Sequence, residues 1–394
     1  MPTCPVARDD RKSARLAAAH LATQSGAQLI DGYTLARDIL RNAKMHQAGV
    51  DAQAVDVRNP DHAPVFYLDG ESHRKKRGAI ARFFTANAVT TRYRPTMQRT
   101  AHMLMQRLKQ SGRGRLDDLA LEMTVTVAAE IVGLTDSNQR AMAKRIAATI
   151  ASPGGWLPRR LAPLNMRYRA LMFYFRDVRP AIRARRRERQ DDIISHLLDE
   201  GYSEQAIMIE CLTYAVAGMV TTREFIVMAA WHLLGNETLH ARFIAGSEDD
   251  QVAILEEILR LEPVAAMLFR RAADELPQFS GGPVASGALF NIDIRAVNTD
   301  ESVVGECPYS LDPDRSQKAK PGSGSLSFGH GAHRCPGSQV AIGESRIFLD
   351  QLLRLPGIRF ERAPTMGWHA LIMSYELRRA VVVCGHSTPQ GARF

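Results

Sequence analysis

Apolar positions recur every three to four residues over most of the chain, the spacing of helices with one buried face. The pattern predicts helices over residues 33–40, 96–108, 116–132, 140–150, 166–182, 192–198, 204–234, 249–261 and 338–355. Strand-like runs are few and fall at 288–294, 358–360 and 377–384. Residues 308–324 are rich in Pro, Gly, Ser and charge, so an irregular coil is expected there. No internal repeat or low-complexity tract is evident. The expected architecture is mainly α with small β sheets (α+β), in a single domain over 1–394. Residues 1–27 form a short N-terminal segment with no clear place in it.

One helix invites a membrane reading. Residues 206–234 are largely apolar, but Glu210, Arg223 and Glu224 interrupt them. The uncharged stretches fall short of the ~20 residues that a span requires. A helix apolar nearly all round also occurs at the centre of a large globular protein. That reading is preferred, with no membrane.

Composition changes the picture little. The chain has 394 residues, 45% apolar and 24% charged, as in ordinary globular proteins. The net charge of +9 suits solubility or an acidic partner. A nucleic-acid role would need basic residues interleaved with exposed aromatics in a known module, and none is found. The densest basic run, Arg183 to Arg189, reads as a solvated helix face followed by Asp191 and Asp192. Five scattered cysteines argue against a disulfide framework and for a reducing, cytoplasmic setting. Residues 1–15 carry charge and no apolar core, so neither signal peptide nor anchor is expected.

The chemistry concentrates in Phe328-Gly329-His330-Gly331-Ala332-His333-Arg334-Cys335-Pro336-Gly337. Two glycines permit a tight backbone path. A helix is expected to begin near Pro336, and a helix N-terminus favours a thiolate. Three readings compete: a glycine-rich turn with an incidental cysteine, a zinc site using His330, His333 and Cys335, and an axial thiolate for haem iron. A structural zinc site usually wants four ligands in recognisable pairs, which the other cysteines do not offer.

This segment resembles the cysteine loop of the cytochrome P450 family, Phe-Gly-x-Gly-x-His-x-Cys-x-Gly, at every fixed position. The resemblance extends from about residue 28 to the end. Glu257-Ile258-Leu259-Arg260 is similar to the family's Glu-x-x-Arg, with Arg315 as the third member of a structural triad that locks the coil before the cysteine loop. Ala217-Gly218-Met219-Val220-Thr221-Thr222 looks like the central-helix motif beside the oxygen pocket. There Gly218 permits a local opening, and the Thr221 hydroxyl can bond the carbonyl of Ala217. The resemblance implies a fold with haem b (iron protoporphyrin IX) between a long central helix and the cysteine-loop helix. It makes Cys335 the iron ligand, His73, Arg77, Arg270 and His333 the propionate partners, and Phe328 a further haem neighbour. Phe66, Ala217, Val264, Met267 and Met373 are its candidate pocket residues.

The implied activity is insertion of one oxygen atom from O2 into a small apolar substrate. Electrons would come from an external ferredoxin and ferredoxin reductase, steered by Arg74, Lys75, Lys76 and Arg334. The chain departs from the family in three ways. Val220 stands where an acid usually relays protons. Pro336 has no N–H to offer the sulfur. The stretches before Gly32 and from Met45 to Leu68 are short. Val220 keeps open a peroxygenase or an oxidative-coupling enzyme. A haem-binding protein without turnover is a rival from another class.

Overall fold

The computed structural model describes residues 26–49, 59–60, 63–150, 162–318, 324–369 and 374–385. In chain order, β1 (Gln28–Ile30), α1 (Tyr33–Arg41) and β2 (Met45–Ala48) precede α2 (Gly70–Ile80) and α3 (Arg94–Ser111). Then come β3 (Arg113–Arg115), α4 (Leu116–Val132), α5 (Gln139–Ile150), α6 (Ala162–Phe173) and α7 (Arg179–Arg187). Next are α8 (Ile193–Asp199), α9 (Glu204–Tyr214), α10 (Thr221–Leu234), α11 (Glu237–Ala245) and α12 (Glu248–Leu261). β4 (Met267–Ala272) and β5 (Leu289–Asp293) lead through coil to α13 (Ser338–Leu353), β6 (Arg359–Arg362), β7 (Thr365–His369), β8 (Ser374–Arg378) and β9 (Val381–Val383).

The helical core forms where α3, α4, α10 and α13 pack together. Met97, Leu104, Val125, Ile226, Phe348 and Leu349 are all buried in it. Helix α4 follows the predicted bounds: Asp117 and Asp118 in its first turn complement the helix dipole, and Gly133 closes it at φ +97°. Helices α9 and α10 are one apolar rod joined by a π turn, Ala215–Val220. Ser203 starts it by accepting from the Ala206 N–H. By length and composition alone, Glu204–Leu234 is long and apolar enough to cross a membrane. Here it packs against α4, α13 and β8, with Arg223 and Glu224 buried.

The sheets hold the rim. The largest has the order β1-β5-β4-β2, with β1 parallel to β5 and the other pairs antiparallel. β3-β9-β6 and β7-β8 complete the set. The predicted strand 377–384 is two strands in two sheets. Arg379, at φ +61°, turns the chain between them. Helix α11, which the apolar spacing missed, is a short element capped by Asn236. The cysteines also need a correction: Cys211, Cys335 and Cys384 are free, but Cys307 is disulfide-bonded. A scattered odd count argues against a framework, not against one bridge.

Candidate functional site

The cysteine loop is built by backbone geometry. The Cys335 N–H donates to the Phe328 carbonyl at 2.8 Å, and the Gly329 N–H to Leu326 at 2.8 Å. Gly329 and Gly331 sit at φ +67° and +69°. A Cβ on Gly331 would lie 2.6 Å from the Leu40 carbonyl oxygen and 2.7 Å from Arg41 Cα. Only glycine lets the loop press against the end of α1. Helix α13 starts at Ser338. Burial pushes the Cys335 thiol up, while the Gly337 N–H, Arg77 and Arg334 act in the opposite sense. The N–H missing at Pro336 is thus supplied one residue later.

The facing wall is the opened helix. The Thr221 hydroxyl donates to the Ala217 carbonyl at 2.7 Å, across the π turn. Ala217, Gly218 and Thr222 line one mainly apolar cavity together with Cys335. Val220 is buried and points into the core cluster. Glu224, the acid one turn on, cannot take the missing acid's place. It accepts from the Leu377 N–H at 2.7 Å and from Arg378 at 2.8 Å, so it ties α10 to β8.

A cluster of donors lies beside the loop. The rings of His73 and His333 stack at 4.1 Å, and His333 bonds Asp69 at 2.9 Å. Arg77 reaches the Arg334 carbonyl. Arg270 is buried and donates to Phe269 at 2.8 Å, but its Nε has no partner among the described residues. Burial lowers Arg270 to about 10 against the pull of Asp69. Burial, His333 and Arg77 hold His73 down at about 4. His73, His333 and Arg270 gather about the one carboxylate of Asp69, with Arg77 beside the cysteine loop, and the orphaned buried N–H of Arg270 makes the cluster a receptacle for further anionic groups. The two propionates of a haem fit it.

Glu257 centres the supporting network. It takes Arg260 Nε and Nη2 at 2.8 and 2.7 Å and Arg315 Nε at 3.1 Å. Arg260 goes on to the carbonyls of Asn298 and Pro308, at 3.0 and 2.8 Å. Arg315 bonds those of Val304 and Cys307, at 2.8 and 3.0 Å. Asn298 then holds the loop itself, accepting from the Leu326 N–H at 2.8 Å and donating to Ser327 at 2.8 Å.

Of the candidate pocket residues, Ala217 lines the cavity. Phe66 is 46% exposed, and Val264 and Met267 are packed in two separate apolar clusters. Met373 lies outside the described residues. Lys76 is corrected as a steering cation: it is buried, 2.6 Å from Glu210, and donates to the Ala63 carbonyl at 2.7 Å. Sequence reasoning missed Phe84, Tyr214 and Glu344, which also line the cavity. Glu344 was within reach, since Gly337, Val340, Ala341 and Glu344 share one helical face. Burial holds its carboxyl well above the usual carboxylate range, and Thr222 is its hydrogen-bond partner.

A cysteine facing an opened helix across a cavity, within this mainly helical fold, defines the haem-thiolate oxygenase class. The comparisons agree. A profile of the family Cytochrome P450 matches residues 252–361. Cytochrome P450 107B1 of Saccharopolyspora erythraea is 28% identical over 347 residues, covering 84% of this chain and 80% of that one. The Biotin biosynthesis cytochrome P450 of Bacillus subtilis is 26% identical, covering 80% of each. The crystal structure of CalO2 matches with a TM-score of 0.76 at 20% identity, covering 93% of this chain and 94% of that one. The profile match and these relatives support the cytochrome P450 family and a haem-thiolate monooxygenase, and the structural match shows the same fold.

Proposed function

We propose that Cys335 holds the iron of haem b in a single haem-binding domain, and that the enzyme oxidises a small apolar substrate in the cytoplasm. The observation that carries this is the cavity shared by Cys335 and the opened 217–222 stretch, beside a buried Arg270 with an unused N–H. His73, Arg77, Arg270 and His333 take the propionates, and Glu257, Arg260 and Arg315 fix the coil. The haem, when bound, supplies dioxygen activation and C–H oxidation. Thr221 holds its hydroxyl proton at the Ala217 carbonyl, within the turn that widens the helix. The apolar wall from α4 excludes water. A ferredoxin and its reductase deliver the electrons, drawn to Arg74, Lys75 and Arg334.

The test is the absorption spectrum of the dithionite-reduced protein with carbon monoxide. A strongly red-shifted Soret band that Cys335→Ala abolishes is expected. A band typical of histidine ligation would overturn the assignment. NADH consumption that requires substrate, ferredoxin and reductase tests the electron route.

A second reading is a peroxygenase, favoured by Val220 and by Glu224 being tied to β8. Peroxide would then support turnover better than reductase and ferredoxin. Val220→Glu should shift the balance towards dioxygen and improve coupling. Unchanged coupling would show that the acid is not what is missing.

A further inference from the structure

A buried ion pair stands next to the cavity wall. Lys76 of α2 and Glu210 of α9 meet at 2.6 Å, with 6% and 1% of their side chains exposed. The Lys76 ammonium also donates to the carbonyls of Pro60 and Ala63, at 3.2 and 2.7 Å, and lies 5.7 Å from the centroid of the Tyr202 ring. A pair at this depth gains little stability over apolar side chains of equal size. What it supplies is a fixed carboxylate one helical turn before Tyr214. No backbone N–H among the described residues bonds that carboxylate. Besides Lys76, its partner is the Tyr214 hydroxyl. Tyr214 in turn belongs to the cavity. With Ala217, Gly218 and Thr222 it forms one face of the rod of α9 and α10, and all four line the cavity opposite Cys335. The other polar groups of the lining are engaged elsewhere. Thr124 donates to the carbonyls of Leu121 and Met219, at 3.1 and 2.9 Å. Thr222 pairs with Glu344 of α13, the wall that carries the thiolate. The wall opposite Cys335 thus presents one phenol in mainly apolar surroundings.

We propose that Tyr214 is a specificity-determining residue, positioned by Glu210 and Lys76, and that it selects an apolar substrate carrying a neutral hydrogen-bond donor, an alcohol. An ionised carboxylate only accepts. The phenol therefore donates its O–H to Glu210 and has only lone pairs left for a ligand. A hydroxyl that already donates to a charged acceptor is itself a stronger acceptor. A ketone or an ether can only accept, so it meets the phenol lone pair against lone pair. Lys76 offsets the charge of Glu210, so the pair does not draw an ammonium, and a carboxylate finds no donor in the phenol. Polar groups left unpaired in a closed apolar site are costly, so this one oxygen separates functional groups that shape alone does not. The inference deepens the monooxygenase reading and rests on it for the substrate's place beside Cys335.

The test uses the haem-loaded ferric protein and a series of cyclic alcohols, cyclohexanol to cyclododecanol, each paired with its ketone. Dissociation constants are read by calorimetry, and the haem spin-state change follows the same titration. At the ring size that binds most tightly, the alcohol is expected to bind about three- to tenfold more tightly than its ketone. Tyr214→Phe should bring the alcohol down to the ketone's affinity. The double variant Lys76→Met/Glu210→Leu removes both buried charges together, a change that folded proteins tolerate. It should instead raise the ketone towards the alcohol, because the freed O–H can now donate. Equal affinities in the wild type, no binding by any ring, or a preference that survives Tyr214→Phe overturns the proposal. A preference unchanged in the double variant overturns the positioning by the ion pair. An alcohol preference in a protein that forms no product with any electron source or peroxide would sink the monooxygenase reading and leave this inference standing. Product formation with alcohol and ketone bound alike would sink this inference alone.

Discussion

Replacing Glu257 by Gln should cost both stability and the placement of the cysteine loop. Glu257 is 6% exposed and is the one carboxylate shared by two buried guanidinium groups. The Asp312 N–H also donates to it, at 3.1 Å. Glutamine keeps the volume but removes the charge and turns one acceptor into a donor facing donors. Breaking a buried ion pair from one side costs about 3–5 kcal/mol, because the remaining charge stays buried and uncompensated. Against a total stability of roughly 5–15 kcal/mol, that is a large fraction. Urea denaturation followed by circular dichroism reads the loss.

The second consequence is local. Arg260 would lose its fixed position, and with it the bond to the Asn298 carbonyl. Asn298 is what holds Leu326 and Ser327, next to the turn that ends at Cys335. The folded fraction of Glu257→Gln should therefore retain haem poorly and show a mixed carbon monoxide spectrum. Asn298→Ala is the control: it should disturb the spectrum for a smaller loss, about 1–3 kcal/mol. A Glu257→Gln protein within about 1 kcal/mol of wild type, with an intact spectrum, would refute the transmission from α12 to the loop.

Three other perturbations give opposite signs. Arg270→Met removes a buried cation with an unpaired N–H, so it should stabilise the haem-free protein yet raise the rate of haem transfer to apomyoglobin; slower haem loss would refute its propionate role. His73 resists protonation to about pH 4, whereas an unfolded histidine protonates near pH 6.5, so the haem-free protein should lose up to ~3 kcal/mol as pH falls through that window. A haem-loaded protein with the same pH slope would argue against propionates at His73. Glu344 has the raised carboxyl, so its contribution is present at low pH and is lost as pH rises above the unfolded value; Glu344→Gln should be the more stable protein at pH 8 and equal near pH 4, and a pH-independent difference would contradict a buried neutral acid.

The helices were legible because most are long and each buries a stripe at helical spacing; α4 is the clearest case. The strand runs at 288–294, 358–360 and 377–384 were legible, but β1, β2 and β4 were not, because they are three to six residues long. Their pairing joins residues as distant as Gln28 and Phe290, which no local pattern encodes. The cysteine loop was legible because Gly331 and Cys335 leave little chemical latitude. The cavity lining was not. Phe66, Val264 and Met267 have suitable side chains, but packing sends them to the surface or into other clusters. Lys76 shows the same limit: within a basic run it reads as a solvated cation, and only tertiary structure supplies Glu210.

The proton problem follows from these placements. Val220 is packed in the core, and Glu224 is bound by a backbone N–H and by Arg378, so neither can pass protons into the cavity. Tyr214 and Glu344 are the titratable side chains, besides Cys335 itself, that line it. Burial pushes both well above their ordinary values, which favours their protonated forms. On the proposed monooxygenase reading, protons would come from water admitted with the substrate, since Thr221 gives its hydroxyl proton to the Ala217 carbonyl and does not line the cavity. A solvent deuterium effect on dioxygen-driven turnover should accordingly be large in the wild type and shrink in Val220→Glu. An effect of the same size in both would place the slow step elsewhere.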